Sequence, residues 1–227
     1  MIRFVPTKGE DFHPVFKSKA AIAALIPLAL VACSSPNGQI TDVGITATRS
    51  ACPAVAIPAA TGDITLFNPA SSRDASAIDV VASITNLRST CDETGDSIVT
   101  RLTFDVQAQR RDGRGAREVV LPYFVVAVQG GTNVQSKSVS RVGLSFADGQ
   151  LRANATGAGT GSVTRAAVSL PADVTAQITR RRKPGDPSAA IDPMSDPAVR
   201  EAVRRATFEM LVGFQLTEEQ LAYNATR

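Results

Sequence analysis

The sequence predicts an all-β fold: an immunoglobulin-like or fibronectin-like β-sandwich of about seven strands with a short C-terminal helix, a small closed β-barrel being the alternative. Three observations carry this. Apolar and polar residues alternate with period two through most of the chain, turn signals separate the alternating runs, and helix signals are confined to short stretches near the end. Residues 54–58 and 64–67 are short apolar runs. Ile78, Val80, Ala82 and Ile84 alternate with Asp79, Ser83 and Thr85, and Leu102, Phe104, Val106 and Ala108 alternate with Arg101, Thr103, Asp105, Gln107 and Gln109. Each set puts one face inward and the other outward. Residues 111–115 read as a turn, and 118–129 as a nearly continuous apolar strand covered on both faces. Pro122 interrupts that run and cannot donate to a ladder, so a bulge or an edge-facing position is expected there. Residues 130–133 form a hairpin turn into a strand over 134–146, and Asp148-Gly149 marks the next turn.

Residues 157–162, Gly-Ala-Gly-Thr-Gly-Ser, lack the lysine of a phosphate loop and open no helix, so they read as a flexible hairpin connection. Two apolar runs flank Leu170-Pro171. Arg180, Arg181, Arg182 and Lys183 follow, then four prolines from Pro184 to Pro197. Residues 180–197 thus read as a basic, proline-rich insertion between strands. Asp196-Pro197 starts a short helix over 198–205. Phe208, Met210, Val212, Phe214 and Leu216 share one face of a last strand, and Thr217 caps a final helix with Gln220 at the capping-box position.

The chain has 227 residues, with 24 basic and 21 acidic side chains. Residues 1–32 read as a removable leader. Without Arg3, Lys8, Lys17, Lys19, Glu10 and Asp11 the balance is 20 against 19, which removes support for whole-surface nucleic-acid binding. The only histidine, His13, belongs to that leader. Histidine-based triads, metal sites and near-neutral proton relays are therefore not expected in the remainder. There is no Gly-x-Ser-x-Gly elbow. Asp92, Glu93 and Asp96 are too few and too closely spaced for a calcium loop and read as a solvated turn. No catalytic residue, metal or cofactor is expected.

Lys17 and Lys19 precede an uncharged run over 20–32, the pattern of an export signal. Its thirteen residues rise about 20 Å as a helix, short of the roughly 30 Å apolar bilayer core. Leu30-Val31-Ala32-Cys33 resembles the lipobox of bacterial lipoproteins. The resemblance implies cleavage before Cys33, a diacylglycerol thioether on its thiol, and acylation of the new amino terminus. Ser34 resembles a signal for transfer to the outer membrane, with the inner membrane as the alternative, both on the periplasmic face. Residues 33–51 read as a tether, with a strand over 40–46 as the weaker reading, and 52–227 as one domain. With Cys33 lipidated, Cys52 and Cys91 remain in an oxidising compartment, where a disulfide is the simplest outcome.

Residues 211–224, Leu-Val-Gly-Phe-Gln-Leu-Thr-Glu-Glu-Gln-Leu-Ala-Tyr-Asn, resemble the ending of a family of uncharacterised alphaproteobacterial envelope lipoproteins. Cys52-Pro53, Phe67, Arg73-Asp74, Cys91 and Pro122-Tyr123-Phe124 agree with it. The resemblance implies a small β-rich envelope domain and no assigned activity. The expected role is that of a non-catalytic structural or assembly subunit contacting another envelope protein. A glycan- or lipid-binding module is the rival. Arg180 to Lys183 are the candidate contact with an anionic surface.

Overall fold

The computed structural model describes residues 50–180, 185, 187 and 191–226, with the backbone of 38–41 and 44–47. Within the span read as a tether, β1 (Gly38–Thr41) pairs antiparallel with β2 (Gly44–Ala47). The remaining strands are β3 (Ala54–Ala56), β4 (Asp63–Phe67), β5 (Ile78–Asp92), β6 (Ser97–Arg110), β7 (Arg117–Gln129), β8 (Asn133–Phe146), β9 (Arg152–Thr164) and β10 (Phe208–Phe214). They form two four-stranded sheets, β3-β10-β7-β8 and β4-β5-β6-β9. The fold is the expected β-sandwich, with eight strands in place of about seven.

Alternation builds the core. Val80, Ala82 and Ile84 of β5 and Leu102, Phe104 and Val106 of β6 face Leu121, Tyr123 and Val125 of β7 and Met210, Val212 and Phe214 of β10 in one buried cluster. The strand order departs from the immunoglobulin pattern, which sets an ABED sheet against CFG. Here β4, β5 and β6 form a sequential meander, and the last strand, β10, lies between β7 and β3, with which it runs parallel. Among the described residues no ladder joins the sheets, so they form a sandwich and not the closed-barrel alternative.

Two turns read from the sequence are arches between the sheets. Residues 111–116 carry the chain from β6 to β7, and 147–151 from β8 to β9. Arg110, at the last inward position of β6, holds both. It is 2% exposed. Its guanidinium donates to the carbonyls of Gly113 (2.6 Å) and Gly115 (2.8 Å) in one arch and of Ala147 (2.9 Å) and Gln150 (2.7 Å) in the other. A buried charge is tolerable when its donors are this fully satisfied.

The glycine-rich segment is not a connection. Gly157, Gly159 and Gly161 lie inside β9 at alternate, inward positions along its pairing with β6. A Cβ there would come within 2.3 Å of Phe104, 2.5 Å of Val125 and 2.1 Å of Met210. The missing side chains let β9 close against the opposite sheet, with Val125 and Met210 of that sheet and Phe104 of the neighbouring β6 filling the space.

Pro122 lies in the central strand β7 without a bulge; the irregularity with β8 falls at Ala127/Val128. Its carbonyl accepts from Gln215 N at 2.9 Å, just past the last residue of β10. The missing N–H thus faces the point where the ladder ends, which limits the loss to one terminal bond. Cover on both faces of β7 holds at Val126 and Val128, which are buried, and fails at Val120, which is 51% exposed.

Residues 163–178 are largely helical: α1 (Arg165–Val168) and α2 (Ala172–Thr179) follow β9, and Pro171 sits at the N-cap of α2. The expected helix appears as α3 (Pro197–Arg205), with Asp196 accepting from Ala198 N. Val174 of α2 packs with Val199 and Ala202 of α3 in a small separate core. The chain ends in α4 (Glu218–Ala225), where Thr217 and Gln220 form the reciprocal capping box.

Candidate functional site: the strand edges and charged loops

Two sheets have four edges, of which the β3 edge is short and the β4 edge is covered. β3 pairs over three residues only. The β4 edge is covered by α4, whose Asn224 amide donates to the carbonyls of Ala60 (2.9 Å) and Asp63 (2.7 Å). Tyr223 stacks edge-on against Phe67 with centroids 5.2 Å apart. Arg73 lies over the same Phe67 ring and pairs with Glu219 at 2.7 Å. The residues that carried the resemblance, Phe67, Arg73 and the C-terminal segment, thus meet at one joint that seals a sheet edge. On β9, the Tyr123 hydroxyl donates to the Ala158 carbonyl at 2.7 Å, joining that edge to the other sheet.

The β8 edge is different. Every residue from Gly131 to Arg141 is exposed. Val134 is 59% and Val139 55% exposed. Inward-facing Val142, Leu144 and Phe146 are buried, but the inward positions before them are Ser140, Ser138 and Ser136, all open to solvent. The Pro122 carbonyl points to β10, so Tyr123 and Val125 turn their backbone groups to β8, opposite Ser140 and Ser138. Lys137, Val139 and Arg141 therefore turn their N–H and C=O groups away from the sheet. Lys137 Nζ lies 5.1 Å from the Phe124 ring centroid. Among the described residues neither Lys137 nor Arg141 makes an ion pair.

The expected disulfide is present: Cys52 is bonded to Cys91, with Cα atoms 6.1 Å apart. Cys91 lies within β5, opposite Thr100. Glu93 Oε1 sits 2.7 Å from Cys52 Sγ. With both sulfurs joined to each other, the group offers no thiolate to a metal. Cys33 lies outside the described residues, as do Arg181, Arg182 and Lys183; Arg180 is exposed at the end of α2. Asp92, Glu93 and Asp96 surround the β5–β6 hairpin turn. Thr94 donates to Asp92 from its hydroxyl (2.7 Å) and its N–H (3.0 Å), which lowers the Asp92 pKa.

A surface groove of about 770 Å³ lies outside the sandwich, lined by Ala75, Ser76, Ile78, Asp79, Val81, Gln109, Arg110 and Arg111. Its charges are engaged: Asp79 forms a two-bond pair with Arg117 at 2.7 and 2.8 Å, and Arg111 donates to the Ser76 carbonyl. Among the described residues no helix is long and apolar enough to cross a membrane. No family model, curated protein or solved structure matches the chain. Sequence reasoning missed Lys137, Val139 and Arg141. The available signal was the loss of apolar residues from alternate positions at Ser136, Ser138 and Ser140, in a strand without an acidic side chain.

Proposed function

We propose that the chain is a lipid-anchored envelope protein, attached through Cys33 to the periplasmic face of the outer membrane, that acts without catalysis as a structural or assembly subunit. The observation that carries this reading is the β8 edge, with Val134 and Val139 on a strand whose outer backbone groups meet no partner strand among the described residues. Such an edge is the feature that soluble domains ordinarily shorten, cover or pair. The lipobox and the disulfide support an envelope setting, since a disulfide persists in an oxidising compartment. Intact-mass measurement of membrane-extracted protein should show a chain beginning at Cys33 with an acyl increment. Pulldown of this lipidated protein in mild detergent should recover a specific envelope protein, and recovery of none would remove the assembly reading.

The groove beside Ile78 and Val81 favours the second reading, a glycan- or lipid-binding module. Saturable binding of an envelope glycan or phospholipid that is lost in Val81→Glu would establish it.

A further inference from the structure

We propose that the β8 edge from Lys137 to Arg141 takes an added β-strand from an acidic protein segment, whose side chains run acid, apolar, acid at alternate positions. This rests on the assembly reading and names the partner's chemistry. The three side chains that share the outer face with the free backbone groups are Lys137, Val139 and Arg141, a cation on each side of a valine. An added strand places its own alternate residues directly opposite these. Acidic residues opposite the cations and an apolar residue opposite Val139 make every pair favourable. β8 carries no Asp or Glu, so nothing on the strand repels such a segment. The exposed serines at 136, 138 and 140 line the other face and accept small polar neighbours. A second copy fits less well. With Val139 facing its own copy, Lys137 would oppose Arg141, and shifted registers still leave four cations on one face.

The test uses the full chain carrying Cys33→Ser, which has no thiol to acylate. The probe is a short fluorescent peptide alternating threonine with the series glutamate, valine, glutamate. Anisotropy should show saturable binding. Val139→Pro removes an N–H that faces away from β7, so it should leave the melting temperature unchanged and weaken the peptide by about tenfold or more, the effect of one lost hydrogen bond or greater. Ser138→Pro removes an N–H that faces β7 and should lower the melting temperature. The pair Lys137→Glu and Arg141→Glu should abolish binding of the glutamate peptide and create binding of its lysine counterpart, a result that stands even if the proline variants fold poorly.

Failure of the peptide to bind, or binding that Val139→Pro leaves intact, overturns the proposal. So does a dimer that Val139→Pro dissolves, which would make a second copy the occupant. Phosphatidylglycerol vesicle binding that the charge reversal abolishes and Val139→Pro spares would assign the edge to a membrane surface. If the peptide fails but a partner is still recovered in the detergent pulldown, only the edge assignment falls. If the pulldown recovers nothing specific, the assembly reading falls, and peptide binding stands as a property of the edge.

Discussion

At Arg110 a single guanidinium replaces what two loops would otherwise have to do for themselves. The four carbonyls it binds belong to the two arches between the sheets, and the side chain is almost completely buried. Arg110→Ala leaves those acceptors without their donor and opens a cavity, so chemical denaturation should show a loss of about 3 kcal/mol or more. Arg110→Lys should recover only part of this, because an ammonium cannot reproduce the planar fork. In the first arch, Asp112 accepts from the Arg114 side chain and N–H, which lowers its pKa from 3.8 to about 2. The folded value lies below the ordinary one, so this contact is fully present above the ordinary carboxyl pKa and is lost as pH falls through about 2. An NMR titration should place Asp112 there, and Arg114→Ala should return it toward its ordinary value.

Among the elements, β9 depends on what its glycines omit. Gly159→Ala sets a methyl against Val125 and should cost about 1–3 kcal/mol. Gly161→Ala should cost less, because its neighbour is the flexible end of Met210. Gly157→Ala meets the Phe104 ring, and Phe104→Leu should relieve it, with a double-mutant coupling of about 0.5–3 kcal/mol. The helical insertion permits a different test. Replacing residues 181–190 with a Gly-Ser linker should leave thermal unfolding nearly unchanged, whereas extending the deletion through residue 197 removes the Asp196 cap of α3 and should cost about 1 kcal/mol.

These elements show which parts of the fold can be read along the chain. β5, β6 and β10 announce themselves because each buries one face, so the period is written locally. The Thr217–Gln220 box and the Asp196-Pro197 start are equally local, since their hydrogen bonds close within one turn. The glycines of β9 resemble a turn until Phe104, Val125 and Met210, far away in sequence, are placed opposite them. Arg110 breaks the inward apolar pattern at its last position and makes sense only once both arches converge on it. The short helices α1 and α2 carry too few turns to establish a period, and Thr175 and Ile178 within α2 are β-branched. At the β8 edge the sequence shows a polar strand, but only the sheet order shows that no strand lies beyond it among the described residues.

For the molecule as a whole, the Cys52–Cys91 bond closes a covalent loop with a sequence separation of 39. The chain-entropy model assigns such a loop about 3–4 kcal/mol, so Cys52→Ser with Cys91→Ser should lower unfolding stability by that amount with the sheets retained.

The same bond also sets where the domain would bear load. β3 begins just after Cys52 and holds to β10 through a three-residue parallel ladder, a contact weak enough to be stripped by tension on the preceding chain. The sulfur bridge lies upstream of that ladder and opens directly into β5, which pairs along nearly its whole length with β6. Pulling on the chain before residue 52 therefore stresses a long central hairpin and bypasses the short β3. In single-molecule pulling from that end, reduction of the bridge should create an early, low-force event as β3 peels away, and the oxidised domain should not show it.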